Sequence, residues 1–325
     1  MFPEIRMSRL RRTEQLRNLT KETLITPNNL IYPIFVQEGI NKPESIESMP
    51  GQFRLPLNQV VNECENIVSL GLPAIILFGI PSKKDDSGSF SYQPQGIVQR
   101  AIKEIKNNFG DKLTVISDIC LCQYTNHGHC GIVRGNDVIN DDTLQILQKI
   151  AESHASAGVD IVAPSGMIDG QVKSIRSELD QKGFTNIAIL AYAAKQASCF
   201  YGPFKEAANS APKFGDRKTY QLDYSNPNEA LREVELDIKE GADLVMIKPA
   251  LSYLDLIYRI KKRFKMPTVA YSVSGEYSMI KAMAERGWIN EKNAVFEILT
   301  SIKRAGADII ITYYAKDFSK WLSEK

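Results

Sequence analysis

The chain has 325 residues, 43% of them hydrophobic, and its 40 lysines and arginines nearly cancel 38 acidic residues, leaving a formal charge of +2. That balance provides no field for nucleic acid or an acidic membrane surface and favours a small-molecule ligand. No apolar run approaches the roughly 20 residues that cross a bilayer, and the opening "MFPEIRMSRLRR" lacks a secretory apolar segment, so a soluble cytoplasmic protein is expected.

In chain order, residues 1–28 come first, with Arg6, Arg9, Arg11, Arg12 and Arg17 and little apolar periodicity. They predict a solvated N-terminal arm ahead of a catalytic domain over 29–325. Eight short apolar runs then follow: "LIYPIFV" (30–36), "AIILFGI" (74–80), "LTVISDICL" (113–121), "DIVAPSG" (160–166), "NIAILAYAAK" (186–195), "DLVMIKP" (243–249), "PTVAYSVSG" (267–275) and "DIIITYYA" (308–315). Each predicts a strand buried on both faces. Helical spacing lies between them, as in "LNQVVNECENIVSLG" (57–71), "DTLQILQKIAESHASAG" (142–158) and "AVFEILTSIKRAG" (294–306).

Alternating strand and helix predicts parallel pairing in an α/β fold. "AGVDIVAPSG", "GADLVMIKPA" and "AGADIIITYY" repeat a helix-ending glycine, an aspartate and an aliphatic run, and eight such units predict a (β/α)8 TIM barrel. An open doubly wound sheet is the rival, but no glycine-rich phosphate turn follows the first strand. Residues 199–228, "CFYGPFKEAANSAPKFGDRKTYQLDYSNPN", interrupt the repeat with a loop long enough to be an active-site lid.

Two features carry the chemistry. "DICLCQYTNHGHC" (118–130) gathers three of the five cysteines and two of the three histidines. An odd cysteine count without an export signal argues against a disulfide framework. Alternation along the third strand predicts Asp118, Cys120 and Cys122 on one face at its C-terminal end, with Cys130 returning after a turn. Three thiolates suit zinc and leave a fourth position open. The spacing is equally compatible with a catalytic metal, with a structural metal completed by His127 or His129, and with buried free thiols. The second feature is a pair of lysines, Lys195 and Lys248, each at the C-terminal end of a predicted strand. A desolvated lysine beside another cation becomes a neutral amine able to attack a carbonyl, whereas a lone rim lysine often only snorkels to water.

The motifs "DICLCQYTNHGHCG", "APSGMIDG", "AYAAKQASCFYGPF", "GDRKTYQL", "VMIKPA", "VSGEYSM" and "IITYY" together resemble the porphobilinogen synthase (5-aminolevulinate dehydratase) family over most of the chain. The resemblance implies a barrel enzyme, a lyase of haem biosynthesis, that joins two 5-aminolevulinate molecules into porphobilinogen with loss of two waters. It implies Schiff bases on Lys195 and Lys248, with Ser274 and Tyr313 receiving the carboxylate of the Lys248-bound substrate. Lys205, Arg217 and Gln221 would receive the other. Lys205 stands where many members have arginine and lacks the bidentate fork. Cys120, Cys122 and Cys130 imply the zinc-dependent type, with Asp118 and Ser165 lining the pocket for proton transfer. The resemblance further implies a homo-octamer built through the arm and able to exchange with smaller assemblies, and an allosteric magnesium near Glu233. A class I aldolase-like lyase would need a single lysine and no zinc. A zinc-storing or redox-sensing protein would need neither lysine nor lid.

Overall fold

The computed structural model describes residues 3–324. Eight parallel strands among them close a barrel: β1 Leu30–Gln37, β2 Ala74–Ile80, β3 Thr114–Ile119, β4 Ile161–Pro164, β5 Ala188–Lys195, β6 Leu244–Lys248, β7 Thr268–Ser272 and β8 Ile309–Thr312. Closure is made by β8 on β1, where Leu30 pairs with Ile310 and Ile31 with Ile311. Helices such as Val60–Ser69, Asn140–Ala157 and Glu291–Ala305 connect the strands on the outside, so the expected (β/α)8 barrel is the fold. Each strand runs buried from end to end or nearly so, because its outward side chains meet helices and its inward ones fill the barrel.

The repeated Gly-x-Asp has a structural reason. Gly158, Gly241 and Gly306 take φ of 96°, 107° and 121°, conformations that end the preceding helix without a Cβ clash. Two residues on, Asp160, Asp243 and Asp308 each reach back to the strand before. Their carboxylates accept from the backbone N–H of Val115, Ile189 and Thr268, each at 2.8 Å, and their own N–H groups donate to the carbonyls of those same three residues. Charged acceptors on backbone amides are worth about 1.5–3 kcal/mol each, and these sit at the N-terminal end of the barrel, away from the chemistry. Lys106 and Lys261 also pair with Asp160 and Asp308, at 2.8 and 2.7 Å.

The regular pattern breaks at three places. A small sheet of Glu44–Ser45 and Phe53–Leu55 adds to β1. A hairpin of Ile132–Arg134 and Asp137–Ile139 follows the cysteine loop. The segment predicted as a lid is not a bare loop, since it holds the short helix Gly202–Ala207. In the described part of the N-terminal segment, Met7–Arg11 forms a 3-10 turn and Glu14–Leu19 a short helix capped by Thr13, with no buried residue in either.

Candidate active site

The cysteines converge by a different route from the expected one. β3 stops at Ile119, whose ladder partner is Pro164, and Leu121 begins a turn in which its carbonyl accepts from the N–H of Tyr124 and Thr125. Cys120 and Cys122 therefore meet through the turn rather than through strand alternation, with their sulfurs 3.4 Å apart. Cys130 completes the set: the three Sγ atoms lie within 4.8 Å of one another and all three residues are buried. Among the described residues, they form the one group of three or more histidines, cysteines or carboxylates close enough to share an ion. Hydrogen bonds from the other two thiols hold Cys130 well below the ordinary thiol range, helped by the charges of Arg217 and Lys195. Cys120 is raised well above that range by its hydrogen bonds to the other two thiols and Cys122 is raised to about 11, so the trio favours one thiolate; three buried sulfurs this close together suit a thiophilic cation such as zinc.

The histidines lie outside that group. His129 Nε2 lies 3.0 Å from the Phe214 carbonyl and Nδ1 lies 3.1 Å from the Tyr220 hydroxyl, so both nitrogens are engaged. His127 Nδ1 accepts from the His129 N–H at 3.1 Å.

The lysines stand side by side. On β5 and β6, Leu190 pairs with Leu244 and Ala191 with Val245, but an irregularity then shifts the register so that Ala194 meets Ile247 and Lys195 meets Lys248. Unbroken pairing would have set Ala194 opposite Lys248; the extra residue in β5 brings the amines together. Each lysine is 5% exposed. Lys248 Nζ sits among the rings of Tyr271, Tyr192, Phe204 and Tyr201, with centroids at 4.2, 5.0, 5.1 and 5.4 Å. Burial, and after it the charge of Lys195, pulls its pKa down to about 7. A substantial share of Lys248 is then the neutral amine at neutral pH. Lys195 Nζ donates to the Ser165 carbonyl at 2.6 Å.

Asp118 is buried beside both lysines. Burial raises its pKa, only partly opposed by the nearby Ser165 hydroxyl, by Gln123 and by the two lysine charges. Gln123 donates to Oδ2 at 3.0 Å, while Oδ1 has no donor in hydrogen-bond geometry. A carboxyl held near its proton, with one oxygen uncommitted, can exchange protons with a neighbour.

The remaining predicted residues fall in three places. Lys205, Arg217 and Gln221 line a cleft of about 710 Å³ within the segment 199–228 and beside it, together with Phe200, Tyr201 and Tyr253, and neither buried lysine lines it. Arg217 is 8% exposed; its Nη2 donates to the carbonyls of Gly128 at 2.9 Å and Ser210 at 2.6 Å, and its buried Nε has no partner. The thiols of Cys130 and Cys122 lie close enough to raise its pKa against the effect of burial. The Gln221 side-chain NH2 is likewise buried and unpartnered. Ser274 opens the helix Ser274–Glu285 and its hydroxyl accepts from the Phe204 N–H at 3.0 Å, whereas Tyr313, just past β8, has its hydroxyl 3.1 Å from that of Tyr271. Glu233 lies elsewhere, on the outer helix Pro227–Lys239, where it lines a small hollow with Asp169, Asp237 and Glu240.

Sequence reasoning missed the aromatic cage, Gln123 and Tyr220. Tyr192, three residues before Lys195, was the available signal for the cage; nothing local distinguishes the other two.

The profile of the family described as delta-aminolevulinic acid dehydratase matches residues 4–321. The delta-aminolevulinic acid dehydratase of Halalkalibacterium halodurans is 54% identical over 320 residues, covering 98% of this chain and 97% of that one. The Bacillus subtilis protein of the same name is 53% identical, covering 98% of each. The crystal structure of delta-aminolevulinic acid dehydratase (porphobilinogen synthase) from Toxoplasma gondii, in complex with the reaction product porphobilinogen, superposes with a TM-score of 0.96 at 45% identity, covering 98% of this chain and 92% of that one. With a matching profile over nearly its whole length and relatives at this identity, the chain belongs to the delta-aminolevulinic acid dehydratase family.

Proposed function

We propose that the chain condenses two molecules of 5-aminolevulinate into porphobilinogen, releasing two waters, as a lyase of tetrapyrrole and haem biosynthesis. The observation that carries this reading is the lysine pair: two buried amines opposite one another in register, one of them with its pKa near neutrality. Neutral Lys248 attacks the ketone of the first substrate, and loss of water leaves a Schiff base; Lys195 takes the second substrate in the same way. A single-lysine lyase has no use for the second amine.

The carboxylate of the Lys248-bound substrate goes to the hydroxyls of Ser274 and Tyr313, which give up their present partners for it. The other carboxylate goes to Arg217, whose Nε is unpartnered, with Lys205 and Gln221 beside it. Asp118 and Ser165 move protons at the reacting carbons, and the aromatic cage excludes water from the Lys248 amine. Cys120, Cys122 and Cys130 would hold zinc, which supplies Lewis-acid polarisation and a template for the second substrate. Glu233 would hold an activating magnesium; burial and the charges of Asp169, Glu229 and Glu240 raise its pKa, a repulsion a divalent cation would relieve.

The arm, residues 1–28, packs on a neighbouring barrel to build a homo-octamer that exchanges with smaller assemblies, and residues 29–325 form the catalytic unit. In support, Met7, Leu10, Leu19 and Leu24 are apolar and exposed in the single chain. A cytoplasmic location accords with the absence, among the described residues, of any helix long and apolar enough to cross a membrane. Incubating the protein with 5-aminolevulinate and zinc and assaying with an aldehyde colour reagent tests the reaction. Formation of a pyrrole is expected; its absence at any zinc concentration overturns the assignment.

A further inference from the structure

Three consecutive residues of the cysteine loop, His127 to His129, each hold the lid. The His127 carbonyl accepts from the Lys213 N–H at 3.0 Å, and the Gly128 carbonyl accepts from Arg217 at 2.9 Å. Gly128 has φ +73°, and a Cβ there would stand 2.3 Å from the Ala211 carbonyl oxygen, so the lid lies directly on its backbone. His129 makes the most complete contact. A carbonyl can only accept, so Nε2 carries the proton and donates to Phe214; Nδ1 then accepts from the Tyr220 hydroxyl. The Tyr220 oxygen in turn receives the N–H of Cys130 at 3.5 Å, and its ring packs on the three cysteines.

We infer that His129 and Tyr220 are positioning residues that fasten the lid to the cysteine loop, so that a cation held by the cysteines and a closed lid stabilise each other. The fastening stands on the hydrogen bonds alone; the part played by the cation rests on the metal reading of the cysteines. Coupling of this kind is reciprocal: whatever a cation gives to lid closure, lid closure gives to cation affinity.

The test is hydrogen exchange by mass spectrometry on the full chain, with and without zinc, in wild type, Tyr220→Phe and His129→Ala. Tyr220→Phe keeps the ring and removes the hydroxyl link. Without metal, exchange across residues 209–218 should quicken about fivefold in Tyr220→Phe, the worth of one ordinary hydrogen bond, and further in His129→Ala, with barrel-strand exchange unchanged. Zinc should slow lid exchange in wild type, and the zinc dissociation constant from chelator competition should rise about fivefold in Tyr220→Phe. Unchanged lid exchange in both variants overturns the fastening. Zinc slowing all three proteins equally overturns the coupling. If wild type binds no zinc, the metal reading and the coupling fall together, and the metal-free comparison alone decides the fastening.

Discussion

Lys195 and Lys248 are opposite one another on β5 and β6 only because β5 carries one residue more than β6 between Ala191 and Lys195. Side chains in a strand alternate faces, so a one-residue change in register exchanges the residues that face the barrel interior. The irregularity thus sets the identity of the residue beside Lys248, and with it the second charge that helps to hold the Lys248 pKa near 7.

A depressed lysine pKa gives a directional pH dependence. The reactive form is the unprotonated amine, so borohydride trapping of 5-aminolevulinate on Lys248 should rise with pH through about 7 and level off above it. Lys248→Met, which fills space without a nucleophile, should abolish trapping there and turnover. Peptide mapping after reduction checks both; a profile still rising toward pH 10 would return the amine to the ordinary lysine range.

The cysteines and Lys248 should separate experimentally. In Cys122→Ala, borohydride should still trap substrate on Lys248 while pyrrole formation collapses, because capture needs only the neutral amine. Stripped wild type should recover on adding zinc and Cys122→Ala should recover poorly, since two thiolates no longer enforce the geometry. Full activity of the stripped enzyme would demote the cluster to structure.

Arg217→Ala should raise the KM for 5-aminolevulinate by tenfold or more, as a charge-assisted contact contributes about 1.5–3 kcal/mol. Lys205→Arg restores a planar fork and should leave KM unchanged or lower it. Steady-state kinetics reads both, and an unaltered KM in Arg217→Ala removes that residue from substrate binding.

Asp237 offers a stability test away from the site. Burial, then Glu240 and Glu233, push its carboxyl up to about 8. The folded protein therefore retains a proton that the unfolded chain releases from about pH 4 upward, so this residue costs stability increasingly as pH rises from about 4 to 8. Asp237→Asn should match wild type near pH 4 and show a higher Tm at pH 8. Thermal melts at the two pH values check it; a difference that does not grow with pH sinks the assignment.

Deleting residues 1–25 should leave a folded barrel, since the buried core begins at Leu30, while lowering the mass measured by light scattering. An unchanged assembly would refute the role proposed for the arm.

Much of this was legible in sequence because it is written in local pattern. Seven of the eight strands fall within the predicted apolar runs and β1 passes its own by one residue, to Gln37, since a buried parallel strand needs a continuous aliphatic stretch. What escaped depends on chain paths that no short window encodes. The end of β3 at Ile119 is set by pairing with Pro164, so the alternation expected through Cys122 does not occur. The irregularity in β5 leaves no mark in "AILAYAAK". Gln123 and Tyr220 gain their roles from contacts with Asp118 and His129, the latter 91 residues from Tyr220.

The aspartate clamps bear on how the barrel breathes. Asp160, Asp243 and Asp308 staple β4 to β3, β6 to β5 and β8 to β7, whereas the start of β2 is preceded by Pro73 in place of an aspartate. Six of the eight strands therefore form three stapled doublets, and local opening should begin at junctions that carry no clamp. Lys195 and Lys248 fall within one doublet, closed by Asp243 at the far end from the chemistry. Thermal opening at a neighbouring junction would carry the two amines together and leave their alignment intact.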